Sequence, residues 1–181
     1  VINILTYRTG VESRMDLETL RTRQEPLKQQ YRESPETGIH TMTATGSLDQ
    51  ANLAINVPTH TGVARAGLHL AAGGDGTMAC SGDMLLEALV GCAGVTLGAV
   101  SLSMGIKVHQ GTITAEGDLD FKGTLGIDRE TPVGFKQIRL LFNLDTDADD
   151  ETEAKLISLT ERYCVIYQTL ANENEIQTTR S

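Results

Sequence analysis

The stretch of sequence that decides the fold runs from residue 82 to residue 105 and reads GDMLLEALVGCAGVTLGAVSLSMG. Residues 88–106 carry no charge, but only part of them are strongly apolar, since glycines and hydroxyl side chains interrupt the run. This composition is typical of a buried helix in a soluble protein and not of a membrane span. We therefore predict a long central helix from Gly82 to Met104, with Gly105 as its C-cap.

The small and polar side chains of this helix fall on one face when successive residues are placed 100° apart. That face comprises Asp83, Glu87, Gly91, Gly94, Gly98, Ser101 and Gly105. Glycine inside a helix costs about 1 kcal/mol relative to alanine, so three glycines on one face indicate that another backbone approaches there. A second copy of the same helix or a strand of the same chain would supply that backbone, and the pattern favours neither.

Cysteines mark the other informative positions. Cys92 lies on a different face of the helix, where a cysteine among apolar neighbours is more often an inert core residue than a nucleophile. Cys164 lies on a second predicted helix, and thiols on two packed helices can reach the Cα separation of roughly 4.4–6.8 Å that a disulfide needs. Cys80 precedes the central helix and is too far from Cys92 to pair with it, about 18 Å along the axis.

The order of the remaining elements predicts an α+β fold with mostly antiparallel sheet. Residues 12–34 have a helical pattern that Pro26 kinks or divides into two short helices, and a turn follows at 34–38. A second long helix is predicted at 148–170. The predicted strands are 39–46, 51–57, 63–70, 106–116, 119–123, 135–144 and 175–179.

Composition excludes several classes of function. The net charge of −9, with 15 basic against 24 acidic residues, and an aromatic content of 4% argue against a nucleic-acid partner. Three cysteines without a CxxC pair do not make a secreted disulfide scaffold, and the four histidines lack the spacing of zinc ligands. No secretory signal is recognisable in the sequence. We expect a cytoplasmic protein that binds no nucleic acid, no metal, no cofactor and no membrane.

Four segments, taken in order, resemble the OsmC/Ohr family. They are the glycine-rich loop at 73–76, the helix start at 81–92, the strand-like run at 134–140 and the helix around Cys164 at 161–167. The resemblance implies an intertwined homodimer in which mostly antiparallel sheets wrap around central helices. It leaves an N-terminal helical extension at 1–37 beside an OsmC-like domain at 38–181.

The resemblance also implies a chemistry that uses cysteine alone. Cys92 would be the peroxidatic thiol, whose thiolate attacks the O–O bond of a small organic hydroperoxide and becomes a sulfenic acid. Cys164 would be the resolving thiol and form a disulfide with Cys92. A dithiol reductant, lipoyl-type in the best-known members, would then reduce that disulfide by exchange.

Certain positions depart from the family pattern. Asp83 replaces the Glu at the helix start, Val165 replaces the usual Pro after the second cysteine, and Leu48 stands where an activating Arg is expected, with Arg65 as a candidate replacement. These departures keep a second hypothesis open, a non-catalytic dimer that binds a small apolar ligand or senses oxidants. A third hypothesis, an enzyme that binds an anion at the loop–helix junction of residues 74–83, is disfavoured by the Asp83 carboxylate.

Overall fold

The computed structural model describes residues 15–180 of the chain, in two units that divide after Thr41. The first unit is built on one helix, α1 (Leu17–Glu33). Pro26 lies inside α1, and the division into two short helices that the sequence allowed does not occur. Residues 12–14 of the predicted helix lie outside the described residues. The predicted turn is a short 3-10 helix at Pro35–Gly38.

The second unit has an α+β architecture in which two sheets accompany four helices. Its elements are β1 (Ser47–Asp49), β2 (Ala54–Thr59), β3 (Gly62–Gly67), β4 (Ala79–Cys80), α2 (Ser81–Met104), β5 (Val108–Leu119), α3 (Phe121–Thr124), β6 (Phe135–Thr146), α4 (Asp150–Tyr163) and α5 (Val165–Ala171).

The first sheet has the strand order β1-β2-β3-β4, with β1, β2 and β3 antiparallel and β4 parallel to β3. The predicted strand at 39–46 was wrong, because the pairing of β1 begins only where Ser47 meets Asn56. Residues 57–59 of β2 pair with β3 alone. A strand-like sequence becomes a strand only where a neighbour accepts its backbone hydrogen bonds.

The second sheet is the antiparallel pair β5 and β6, each twelve residues long. The predicted strand at 119–123 was wrong, because the chain turns into α3 after β5. The Asp120 carboxylate accepts a hydrogen bond from the Lys122 N–H at 3.1 Å and so caps this helix. The predicted final strand at 175–179 was also wrong, since those residues are not in a strand.

The central helix was predicted correctly. α2 spans Ser81–Met104, and Gly105 ends it with φ of 73°, a backbone conformation that favours glycine. The second long helix was predicted as continuous but is broken into α4 and α5 at Cys164. Cys164 has an extended conformation with ψ of 110°, which neither helix can continue.

The core of this unit forms where α2 meets β5, β6 and α5. Its buried centre is Leu89, Ala93 and Cys164. On the glycine face of α2, a Cβ added to Gly94 would meet the Ile113 side chain at 3.8 Å, whereas one added to Gly91 or to Gly98 would meet nothing within 4 Å. A strand of the same chain therefore approaches only the middle glycine.

Candidate active site

Cys92 lies in the middle of α2 on the side that faces the core. It is partly buried and packs against the buried cluster of Leu89, Ala93 and Cys164. Alternate residues of the two long strands face the same cluster, namely Ile113, Ala115, Ile138, Leu140 and Phe142. The surroundings of Cys92 are thus apolar on the sheet side, and its polar contacts come from helices.

Cys164 lies at the junction of α4 and α5 and is completely buried. Its backbone N–H donates a hydrogen bond to the Thr160 carbonyl at 2.9 Å, which closes α4. Its Sγ accepts a hydrogen bond from the Tyr167 N–H at 3.4 Å, which caps α5. The sulfur takes the place that a serine or threonine oxygen usually occupies at the start of a helix. The Cys164 side chain thus caps α5 at the helix break.

The structure brings Cys92 and Cys164 together in one cluster, both as free cysteines. Burial raises the pKa of the Cys92 thiol, but the backbone N–H of Ile166, the Cys164 thiol, the backbone N–H of Val165 and the Thr96 hydroxyl lower it by more. The pKa of Cys92 is therefore below that of an ordinary thiol. A thiolate at this position is stabilised by amides, a hydroxyl and a second thiol.

The pKa of Cys164 is shifted in the opposite direction. Burial raises it most, the neighbouring Cys92 raises it further, and the N–H groups of Tyr167 and Ile166 oppose these effects without cancelling them. Of the two thiols, Cys92 is therefore the one that ionises first, while Cys164 remains a protonated thiol beside it. This asymmetry matches the difference between a nucleophilic and a resolving cysteine.

A cavity of about 320 Å³ borders the core cluster that contains the two cysteines. Its lining exposes polar and apolar surface in similar amounts and comprises Leu89, Phe135, Lys136, Gln137, Ile138, Leu140, Tyr167, Leu170 and Ala171. Four residues belong both to this lining and to the cluster around the sulfurs, namely Leu89, Ile138, Leu140 and Tyr167. Burial and then the Glu161 carboxylate raise the pKa of Tyr167, so its hydroxyl stays protonated.

The other residues singled out from the sequence lie elsewhere. Asp83 is exposed in the first turn of α2 and, with Glu87, lines an open groove between α2 and β5. Arg65 forms an ion pair with Asp49 at 2.9 Å, and Leu48 is 75% exposed on β1. Among residues 15–180, no group of three or more His, Cys, Asp and Glu side chains is placed to hold a metal ion.

Sequence reasoning missed three residues that act on Cys92, namely Thr96, Val165 and Ile166. Thr96 follows Cys92 by one helical turn, so the i, i+4 spacing was a usable signal. The two α5 amides depend on the helix break at Cys164. The family's usual Pro at position 165 was the available signal, because Pro favours the first position of a helix.

Comparisons with known proteins show the family. The family model described as OsmC-like protein matches residues 74–179, which is more than half of the chain. α2 is long and apolar enough to cross a membrane by length and composition, but it lies within the matched region and there forms part of the protein core. No curated protein sequence matches this chain at a significant level.

Solved structures share the fold at low sequence identity. An OsmC-like protein from Mycoplasma pneumoniae is 13% identical with a TM-score of 0.61, over 73% of this chain and 88% of that one. An organic hydroperoxide resistance protein from Elizabethkingia anophelis is 17% identical with a TM-score of 0.57, over 72% and 87%. An OsmC-like protein of unknown function from Vibrio cholerae is 11% identical with a TM-score of 0.58, over 72% and 94%. With its sequence matched to the family model and its fold shared with these structures, this chain belongs to the family of OsmC-like proteins.

Proposed function

We propose that this protein is a thiol-dependent reductase of small organic hydroperoxides. The observation that carries the proposal is the pair of Cys92 and Cys164, in which the partly exposed thiol has the lowered pKa and the buried thiol the raised one. A low-pKa thiolate beside a second thiol is the arrangement that peroxide reduction by cysteine requires. The structural similarity to a protein described as an organic hydroperoxide resistance protein supports this class of substrate.

The proposed reaction transfers two electrons from the thiols to the peroxide. The Cys92 thiolate attacks one oxygen of the hydroperoxide, the O–O bond breaks, and the departing alkoxide takes a proton from solvent to leave as an alcohol. The Cys164 sulfur then attacks the Cys92 sulfenic acid, and the hydroxyl leaves with the Cys164 proton as water. A dithiol reductant, lipoyl-type by analogy with the family, restores both thiols by exchange. No metal or organic cofactor takes part.

The activation of Cys92 in this proposal differs from the family pattern. Leu48 occupies the place of the expected Arg, and the Arg65 guanidinium is engaged by Asp49. We assign the stabilisation of the thiolate to the amides of Val165 and Ile166 and to the Thr96 hydroxyl instead. Hydrogen bonds to an ionised sulfur favour its charged form without a fixed cation.

A homodimer is part of the proposal. Two glycines on α2, Gly91 and Gly98, have open space above them, and Val95 on the same helix is 78% exposed. A second copy of the chain would cover these positions, as a twofold contact between helices does. In that dimer we assign to Asp83 a positioning role, exerted on the site across the interface.

We further propose residues 38–181 as the OsmC-like domain of a soluble, cytoplasmic protein and residues 1–37 as an extension.

A disulfide map tests the proposed activity. The reduced protein is treated with one equivalent of cumene hydroperoxide, alkylated and analysed by mass spectrometry. We expect rapid and stoichiometric formation of a Cys92–Cys164 disulfide, and loss of peroxide consumption in Cys92→Ser. Cys80→Ser is the matched control and retains full activity. Normal peroxide consumption by Cys92→Ser, or oxidation confined to Cys80, would contradict the proposal.

A second function is favoured by the cavity and by Leu48. A cavity of about 320 Å³ with Leu89, Phe135 and Leu170 in its lining can hold a small apolar ligand whether or not the thiols react. In a non-catalytic dimer that binds such a ligand or senses oxidants, cumene hydroperoxide would not be turned over in the presence of a dithiol. A ligand that raises the melting temperature of the thiol-blocked protein would then support binding.

A further inference from the structure

The two sulfurs of the site differ in how a reductant can reach them, and this difference bears on the reductive half of the cycle. Resting on the proposed function, we infer that the dithiol donor attacks the Sγ of Cys92, so that the mixed disulfide forms there and Cys164 is the leaving thiolate. The reducing partner therefore meets the protein on the Cys92 side of the site. Cys164 takes part only as a sulfur inside the protein.

The two cysteines differ in how far they are exposed to solvent. Cys164 is 0% exposed, whereas Cys92 retains partial exposure. Attack on a disulfide requires the incoming thiolate to approach the sulfur along the S–S axis, from the side opposite the leaving sulfur, so access decides which sulfur reacts. Behind Cys164 lie the last turn of α4 and the first turn of α5, where Thr160 is also completely buried. A donor cannot enter there unless the α4–α5 junction opens.

The sulfur that leaves in the exchange must be stabilised as a thiolate. When the S–S bond breaks, its electron pair stays on Cys164, which needs a partner for the new negative charge. The Tyr167 N–H, already hydrogen-bonded to Cys164 Sγ at 3.4 Å, supplies one. The buried sulfur is therefore not left without a donor when it becomes a thiolate.

Thiol acidity alone favours the opposite order, because the thiol of lower pKa leaves faster and Cys92 is that thiol. Part of the difference disappears in the exchange step, however. The charge of the Cys92 thiolate contributes to the raised pKa of Cys164, and no such charge exists while Cys92 is bonded to the donor. The amide of Tyr167 continues to act on Cys164. Because the pKa difference between the two thiols is smaller in this step and Cys164 is inaccessible, accessibility determines that the donor attacks Cys92.

The exchange then balances in two steps. A thiolate of the donor attacks Cys92 Sγ, a donor–Cys92 disulfide forms, and the Cys164 thiolate departs and takes a proton. The second donor thiolate attacks the donor sulfur, Cys92 leaves as a thiolate, and the donor becomes a cyclic disulfide. Two electrons pass from the donor to the protein. The protein ends the cycle with Cys92 ionised, ready for the next peroxide.

Adduct mapping under native conditions tests this order. The Cys92–Cys164 disulfide is formed in full-length Cys80→Ser protein, once with cumene hydroperoxide and once with diamide. A monothiol, 2-mercaptoethanol, is added briefly, and N-ethylmaleimide quenches the reaction before peptide mapping. We expect the mercaptoethanol adduct on Cys92 and the maleimide on Cys164, in about tenfold or greater excess over the reverse arrangement, because access controls which sulfur is attacked.

The controls separate this inference from the proposed function. In urea the burial of Cys164 is lost, so the ratio of adducts should fall towards equality. If peroxide fails to form the disulfide but diamide succeeds, the proposed function fails while the order of attack is still measured. A majority of adduct on Cys164 in the native protein overturns the inference and shows that α5 opens before exchange. Failure of both oxidants to join the two cysteines overturns it as well.

Discussion

The two sides of α2 differ in whether the chain completes them by itself. On the side of Cys92, the buried cluster, both long strands and α5 close around the helix. On the glycine side, Gly91 and Gly98 face open space. The first side is packed by the same chain and leaves Cys92 partly exposed, whereas the second side keeps glycines in a helix although no residue of the same chain fills the space beside Gly91 and Gly98. The pair of Cys92 and Cys164 is thus assembled within one chain, whereas the space beside Gly91 and Gly98 is where the proposed second copy would lie.

Removing Leu89 is expected to have the largest effect, because it breaks the completed side. Leu89 is 2% exposed, lines the cavity and belongs to the buried cluster that contains Cys164. Leu89→Ala should lower the free energy of unfolding by roughly 2–5 kcal/mol. It should also speed the alkylation of Cys92, since the cavity then connects with the sulfur.

Chemical denaturation and the rate of iodoacetamide labelling measure the two effects. Ile127→Ala serves as the control, because Ile127 is 73% exposed and its loss should change stability by no more than about 0.5 kcal/mol. A Leu89→Ala protein as stable as the control would contradict the view that this side of α2 is a closed core.

Adding a methyl group to the glycine face tests the open side. In a single chain, Gly91→Ala and Gly98→Ala meet no neighbour within 4 Å, so each should raise helix stability by about 1 kcal/mol. In the proposed dimer the same methyl groups meet the second copy, so the dimer should dissociate at higher protein concentration. Sedimentation and concentration-dependent melting separate the two effects.

Gly94→Ala is the matched comparison for the glycine variants. Its added Cβ meets Ile113 at 3.8 Å, an ordinary contact within the same chain. If all three variants simply gain stability and the oligomeric state does not change, the glycine face does not bind a second copy. The open space would then have no assembly role.

Sequence reasoning reached the central helix and the α+β class because each leaves a local pattern, whereas the pairing of Cys92 with Cys164 was implied only by the family resemblance. The uncharged run between residues 88 and 106 and the C-cap at Gly105 identify α2 without any partner. The failures have a common cause. Residues 39–46 and 175–179 have strand-like composition, but a strand depends on a pairing neighbour that periodicity does not reveal. The helix break at Cys164 depends on its sulfur acting as a cap, which composition hides.

Replacing Val165 with the proline that the family usually has after the second cysteine tests the side of α2 that carries the thiols. Val165 is the first residue of α5, and the preceding Cys164 is extended with ψ of 110°, so both positions accept the change. Val165→Pro restricts the unfolded chain, which contributes about 0.4–1 kcal/mol of stability, but it also removes the hydrogen bond from the Val165 N–H to Cys92, so the net stability should rise by no more than that. Because that N–H lowers the pKa of Cys92, the pKa should rise when it is lost.

Two separate readouts make the Val165→Pro test specific, because stability reports how well the proline fits and the pKa of Cys92 reports the lost N–H. Thermal melting gives the stability, and the pH dependence of Cys92 alkylation gives the pKa. Val165→Ala keeps the N–H and should leave the pKa of Cys92 unchanged. A proline variant that is more stable and has an unchanged Cys92 pKa would show that the Val165 amide does not contribute to the activation of Cys92.

Thr96 should give the smallest effect and the cleanest measure of the polar contacts around Cys92. The Thr96 hydroxyl lowers the pKa of Cys92, but the amide of Ile166 and the Cys164 thiol contribute more. Thr96→Val keeps the shape of the side chain and removes the hydroxyl, so the alkylation rate of Cys92 should reach its plateau at a higher pH. Thr96→Ser keeps the hydroxyl and should follow the parent profile. If the valine and serine variants gave the same pH profile, only the α5 amides and the Cys164 thiol would lower the pKa of Cys92. The activation of Cys92 would then depend entirely on groups positioned by the helix break at Cys164.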